Sequence, residues 1–352
     1  MLLLACTTPP DDDSAKEAPT IFAVGHVEAE VEYTYPEGNA RALRTAAWYP
    51  AKSDGDGPAQ YLYGTIESFG ATENAPAAEG EFPVVVFSHG HQAFAEVSSF
   101  LMEHLARNGF VVLAPDHTNN TTFDGSERST AIYLQRPFDL SAVIDAQETG
   151  LFPGLPATTG QVVAMGHSFG GYTIFASGGA AYDTGEIDAA CEAGTGGNVC
   201  TDWSGEWSAR FAAGAMDARV LGIVPMDPGD DWMFAANLEG LAVPALLMTA
   251  NTDPEGDGDP GAYAAALLPP LSETNSACGS CEHHWVDIAT AGHNAFTDFS
   301  GSLDDGGTIE PQRGWDIVNT YALVFAQYVT GDDDDLALLR GEEPVDDLAT
   351  VE

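Results

Sequence analysis

Residues 161–181 read QVVAMGHSFGGYTIFASGGAA, and no other stretch restricts the fold of this chain as strongly. An apolar run enters GHSFGG and leaves it as a helix-compatible segment, so a strand and a helix are joined by a sharp turn centred on Ser168. Gly166 and Gly170, two residues to either side, leave the strand and helix room to approach while the serine takes a strained backbone conformation. A strand feeding directly into a helix is the building unit of a parallel sheet covered by helices.

The rest of the chain follows the same rhythm. RTAAWYP (44–50), FPVVVFSHG (82–90), FVVLAPDH (110–117), RVLGIVPMD (219–227), PALLMTA (244–250) and HHWVDIAT (283–290) are short apolar runs that predict further strands. Val97 to Asn108, residues 136–150 and Gly314 to Val329 carry the three- and four-residue spacing of amphipathic helices. The pattern predicts one α/β domain over 20–352, with a mostly parallel sheet flanked by helices. Residues 181–217 interrupt the alternation with Trp203, Trp207 and Phe211, and are expected to form a cap or pocket wall over the strand ends. Residues 331–352 read as an acidic C-terminal tail.

Charge narrows the function classes. With 54 acidic residues against 11 basic ones, the formal net charge is −43. A nucleic-acid partner is excluded, because phosphate backbones require a basic surface. The acidic residues are expected to form a solvated shell that keeps the chain soluble. No run of eighteen apolar residues occurs, so no segment reads as a membrane-spanning helix.

The N-terminal residues Leu3 to Cys6, LLAC, resemble the lipobox of bacterial lipoproteins, in which the cysteine is lipidated. Only five residues precede Cys6, fewer than a signal peptide needs. The expectation is a lipobox-like segment and disordered tether over 1–19, membrane attachment through Cys6, and a location in the cell envelope (periplasmic or outer surface) or outside the cell. Cys191 with Cys200 and Cys278 with Cys281 form close pairs, which in an exported chain predict two local disulfides. His283 and His284 follow the second pair, but the eight residues between Cys191 and Cys200 do not fit a zinc knuckle, and no metal site is assigned.

A nucleophilic serine needs a base and an acid behind it. His293, in TAGHNAFTDF, follows the last strand and supplies the base. Two carboxylates end strands at suitable points, Asp227 after RVLGIVPM and Asp253 after PALLMTA, and spacing alone leaves both open. Backbone N–H groups of Phe169 and of His91, the latter in SHGHQAF, are placed to form an oxyanion hole. Asp253 also begins DPEGDGD, a spacing akin to a calcium loop. That segment (251–261) motivates a reading of a different class, a non-catalytic surface lipoprotein binding calcium or a partner.

FPVVVFSHGHQAF, ARNGFVVLAPDH, RPFDLSAVID, GHSFGGYT, VPMDP and GHNAFTDF occur in the order and spacing of platelet-activating-factor acetylhydrolases and bacterial dienelactone hydrolase-like proteins. The chain resembles these families from about Tyr33 to Val329. The resemblance implies an α/β-hydrolase fold and hydrolysis of carboxylic esters through an acyl-serine, with no metal or organic cofactor. It points to a small-molecule or lipid ester as substrate, of the short-acyl or phospholipid type, and it favours Asp227 as the acid. Asp253 is the position used by polyester hydrolases, so a polyester or cutinase-like enzyme is the alternative. Position 168 departs from true dienelactone hydrolases, whose nucleophile is cysteine. Oligomeric state is left unassigned.

Overall fold

Strand parity organises the molecule. The computed structural model describes residues 20–351 except 36–37, 39, 63, 126–128, 235–237, 239 and 253–280. Its strands are β1 (Ala23–Thr34), β2 (Ala40–Ala51), β3 (Pro58–Tyr61), β4 (Ile66–Glu73), β5 (Glu81–Ser88), β6 (Val111–Pro115), β7 (Ala157–His167), β8 (Val220–Met226), β9 (Leu246–Ala250), β10 (His284–Ile288) and β11 (Ala349–Val351). They form one sheet in the order β11-β10-β9-β8-β7-β5-β6-β2-β1-β4-β3. From β6 to β10 neighbouring strands are parallel, whereas β2 runs antiparallel to both β1 and β6.

The central strands are apolar throughout because both of their faces are covered. Val84 and Val86 of β5, Val111 and Leu113 of β6, and Val162 and Ala164 of β7 point to one layer. There they meet Leu140, Val143 and Ile144 of α2 (Thr130–Glu148) and Ile174 and Phe175 of α3 (Phe169–Ser177). The alternate residues Val85, Phe87, Val112, Ala114, Val163 and Met165 face the other layer. That side is built by Leu101 and Leu105 of α1 (Ser99–Arg107) and by Ile317, Tyr321 and Phe325 of α6 (Pro311–Thr330).

Helix α2 begins six residues before the stretch expected from the sequence and carries Pro137 in its interior. A proline there removes the N–H that would bond the carbonyl four residues earlier. That carbonyl, on Tyr133, instead accepts from the Tyr172 hydroxyl of α3 at 3.1 Å. The proline thereby ties α2 to α3.

Residues 181–217 fold as α4 (Thr184–Ala193), a short 3-10 turn and α5 (Gly205–Ala213). They lie against the α2 and α3 side of the sheet. The Val199 carbonyl accepts from Thr130 at the start of α2, at 2.6 Å, and Tyr182 packs on Phe211 and Phe234. A disulfide joins Cys191 to Cys200, and Cys281 is disulfide-bonded as well; Cys278 lies outside the described residues. Closing a loop of this length removes unfolded-state entropy worth roughly 3 kcal/mol. Cys191→Ser should therefore lower stability by up to about 3 kcal/mol, read as a shift in the denaturant midpoint under non-reducing conditions.

The chain after α6 departs from the expected acidic tail. Leu336–Leu339 form a short helix α7, and β11 pairs antiparallel with β10 through Val286–Val351 and Ile288–Ala349. Covering the exposed edge of β10 is what draws these residues into the fold. The 1–19 tether with Cys6 lies outside the described residues.

Candidate active site

The sharp turn at Ser168 is present in the backbone. Ser168 has φ 56° and ψ −121°, a conformation costly for any residue with a side chain, and stands between β7 and the first residue of α3. The glycines around it are required by contact. A Cβ on Gly170 would collide with the Ser88 carbonyl, and one on Gly171 would collide with Pro228. The helix is therefore pressed directly onto the end of β5 and the loop after β8.

Asp227 follows β8, the strand beside β7, and is likewise left-handed, with φ 42°. Its N–H bonds the Met248 carbonyl at 2.8 Å, and its Oδ1 accepts from Ala250 N at 3.2 Å, both on β9. With the carboxylate so oriented, Oδ2 lies 2.5 Å from Nδ1 of His293. His293 opens a 3-10 turn, His293–Phe296, after β10. Asp253, the other acid that the spacing allows, lies outside the described residues, as does most of the 251–261 loop.

The turn bearing His293 is held on both sides. His167 Nε2 donates to the His293 carbonyl at 2.8 Å, and the two rings stand 4.6 Å apart. Five residues beyond His293, the Asp298 carboxylate accepts from the backbone N–H of Ser99 and Phe100, both at 3.1 Å, and so caps α1. The Ser98 hydroxyl bonds the Phe296 carbonyl at 2.7 Å.

Opposite lies the loop after β5. The His89 ring donates from Nδ1 to the Gly90 carbonyl at 2.7 Å and accepts at Nε2 from His117 N at 3.0 Å, which fixes its tautomer. Gly90 approaches Ser168 closely enough that a Cβ would sit 3.4 Å from the serine's own Cβ. The His91 and Phe169 rings meet edge to face at 6.3 Å. Phe169 follows Ser168 directly, and His91, one residue after Gly90, meets Phe169 through this ring contact.

Sequence reasoning did not foresee what lies beneath. Ser88, His117 and Asp139 form a fully buried hydrogen-bonded chain, with Ser88 Oγ 2.9 Å from His117 Nε2 and His117 Nδ1 2.9 Å from Asp139. Asp139 also receives the Tyr33 hydroxyl at 2.6 Å and two N–H groups of Arg41 at 2.8 Å. Arg136, also fully buried, completes the layer. The signal was in RPFD, where two charged residues sit on a stretch whose periodicity demands a core-facing helix.

As for a metal, Cys281 is committed to a disulfide, so it offers no thiolate beside His283 and His284. Among the described residues His26, Glu28 and Glu96 come close enough to share a cation. Arg44 already supplies the positive charge there, donating to Glu28 at 2.7 Å and to Glu96.

Comparison with known proteins agrees with this fold. A ferulic acid esterase from Streptomyces cinnamoneus superposes over 96% of this chain and 98% of its own, with a TM-score of 0.62 at 20% identity. The chain has the α/β-hydrolase fold. Within it, residues 72–187 match the Chlorophyllase family. Chlorophyllase-2 of Arabidopsis thaliana is 32% identical over 107 residues, 29% of this chain and 30% of that protein. Chlorophyllase-1, chloroplastic, of Citrus sinensis is 31% identical over 108 residues, with the same 29% and 30% shares. The chain thus spans about 30% of the length of the curated relatives it matches. The family match contains the β5 loop, α2 and the Ser168 turn, and ends before Asp227 and His293.

Proposed function

We propose that the protein is a serine-dependent carboxylic ester hydrolase, with Ser168 as nucleophile, His293 as base and Asp227 as the acid. The observation that carries this reading is the 2.5 Å contact between Asp227 Oδ2 and His293 Nδ1. With Nδ1 facing a carboxylate, the neutral ring carries its proton there and leaves Nε2 to accept the serine proton.

Ser168 Oγ attacks the ester carbonyl while His293 takes its proton. The oxyanion that forms is received by the N–H groups of Phe169 and His91, each such donor contributing about 3 kcal/mol of barrier lowering. As the tetrahedral species collapses, His293 returns the proton to the departing alcohol and an acyl-serine remains. Water, deprotonated by His293, repeats the sequence and releases the carboxylic acid. Asp227 stabilises the imidazolium in both halves.

The same proposal includes an exported, oxidising location, supported by the Cys191–Cys200 disulfide, and attachment through Cys6. Short-acyl and phospholipid-type esters are the proposed substrates. The names of the matched relatives add chlorophyll and ferulic acid esters as probes, and polyester film tests the cutinase-like alternative. Hydrolysis rates on these five classes rank the substrates. No hydrolysis of any, together with failure of a fluorophosphonate to label Ser168, would sink the proposal.

The pH dependence has a definite sign. Burial drives His89, His117 and His167 well below the ordinary imidazole range, so they stay neutral and do not titrate near neutrality. Only a neutral His293 accepts the serine proton, so kcat/KM rises with pH as that proton leaves and then levels off. A rate profile flat from about pH 4 to 9 contradicts the assignment of His293 as base.

A further inference from the structure

Arg136 is a fully buried cation on α2, and its bonds reach both sides of Ser168. On one side, Nη2 donates to the His89 carbonyl and to Ser88 Oγ at 3.0 Å, at the root of the loop that carries His91. Nη1 donates at 2.6 Å to Asn120 Oδ1, which fixes how that amide is turned. The Asn120 amide nitrogen then faces His91 Nδ1 at 2.9 Å and donates to it, so His91 carries its own proton on Nε2. On the other side, Nε donates to Thr173 of α3 at 3.1 Å, and the guanidinium carbon lies 4.6 Å from the centre of the Phe169 ring.

The two proposed oxyanion donors come from different elements, and a hole built from two elements is only as well formed as their mutual placement. A planar guanidinium with several donors in fixed geometry suits that task, and a lysine ammonium does not. Burying a cation is costly unless its hydrogen bonds are met. Here each guanidinium nitrogen has an acceptor, and although burial pushes the Asp139 carboxyl up, its pairing with Arg41 and the nearby Arg136 charge favour its ionised form.

We propose that Arg136 is a positioning residue that locks the His91 loop and the Phe169 turn into one oxyanion-binding unit, with Asn120 as its link to His91. This rests on the esterase reading above.

The test uses the full chain, with Arg136→Gln, Arg136→Lys and Asn120→Ala assayed on a short p-nitrophenyl ester. Affinity for a trifluoromethyl ketone, whose adduct places an oxyanion in the hole, and the melting temperature are measured alongside. Arg136→Gln should lower kcat by about 10²-fold with KM nearly unchanged, and ketone affinity should fall in parallel. Lysine keeps the charge but not the fork, so Arg136→Lys should fall between Arg136→Gln and wild type. Asn120→Ala should cost roughly tenfold in kcat, and it decides the matter if neither Arg136 variant folds.

Folded variants that keep kcat and ketone affinity within about twofold of wild type overturn the proposal, as does a loss of kcat without loss of ketone affinity. The esterase reading fails separately, if the wild-type chain itself neither hydrolyses the ester nor is labelled at Ser168.

Discussion

Replacing Ser168 with alanine should abolish ester hydrolysis while leaving the fold intact. Without a nucleophile only the oxyanion donors and substrate binding remain, and such residual sites lose roughly 10⁴-fold or more in kcat. The side chain is half-buried and its removal leaves no large cavity, so the melting temperature should barely move. A companion variant separates chemistry from backbone strain. Glycine adopts φ 56° without the penalty a Cβ imposes, so Ser168→Gly should be as inactive as the alanine variant yet more stable than wild type by about 1 kcal/mol. Residual activity in either variant within tenfold of wild type, once contaminating esterase is excluded by active-site titration, would remove Ser168 from the mechanism.

Asp227→Asn should cost about 10⁴-fold in kcat, an effect second only to loss of the serine. The amide is nearly isosteric and retains an oxygen to accept from Ala250 N, whose bond to Asp227 Oδ1 is 3.2 Å. That bond leaves the amide NH₂ facing His293 Nδ1, where Oδ2 now stands at 2.5 Å. The ring must then put its proton on Nε2, where it cannot accept one from Ser168, and no anion balances the imidazolium. At the rival position, Asp253→Asn should leave kcat/KM within about twofold of wild type. The reverse pattern, a damaged Asp253 variant and an active Asp227 variant, would exchange the two acids.

The strands that were legible in the sequence are those buried on both faces. Phe82 to Ser88 and Val162 to His167 are apolar because helices cover them front and back, and composition alone reveals that. Strand β1 escaped because it is half-exposed, its buried Val27 and Val31 alternating with exposed Glu28, Glu30 and Glu32. A period of two was there to be read, without the apolar run that marked the others. Strands β3 and β11 are short edge elements of four and three residues, stabilised by what they pair with and not by their own pattern.

The site divides in the same way. Ser168 announces itself through local glycine chemistry, and His293 through its place after the last strand. The choice between Asp227 and Asp253 depends on which strand end faces the histidine, and that is a matter of tertiary geometry. The Arg136 layer is less legible still. Arg41 and Asp139 are 98 residues apart, Ser88 and Arg136 are 48 apart, and no local window contains either pair.

The glycine contacts at the Ser168 turn carry a kinetic consequence. Because Gly170 leaves no space between α3 and the Ser88 carbonyl, the turn and the end of β5 move as one body. On the proposed mechanism, the pocket for the developing negative charge is then complete before any substrate arrives, and acylation should not wait for its assembly. Mixed rapidly with an activated ester, the enzyme should release its first equivalent of alcohol without a lag, at a rate insensitive to solvent viscosity.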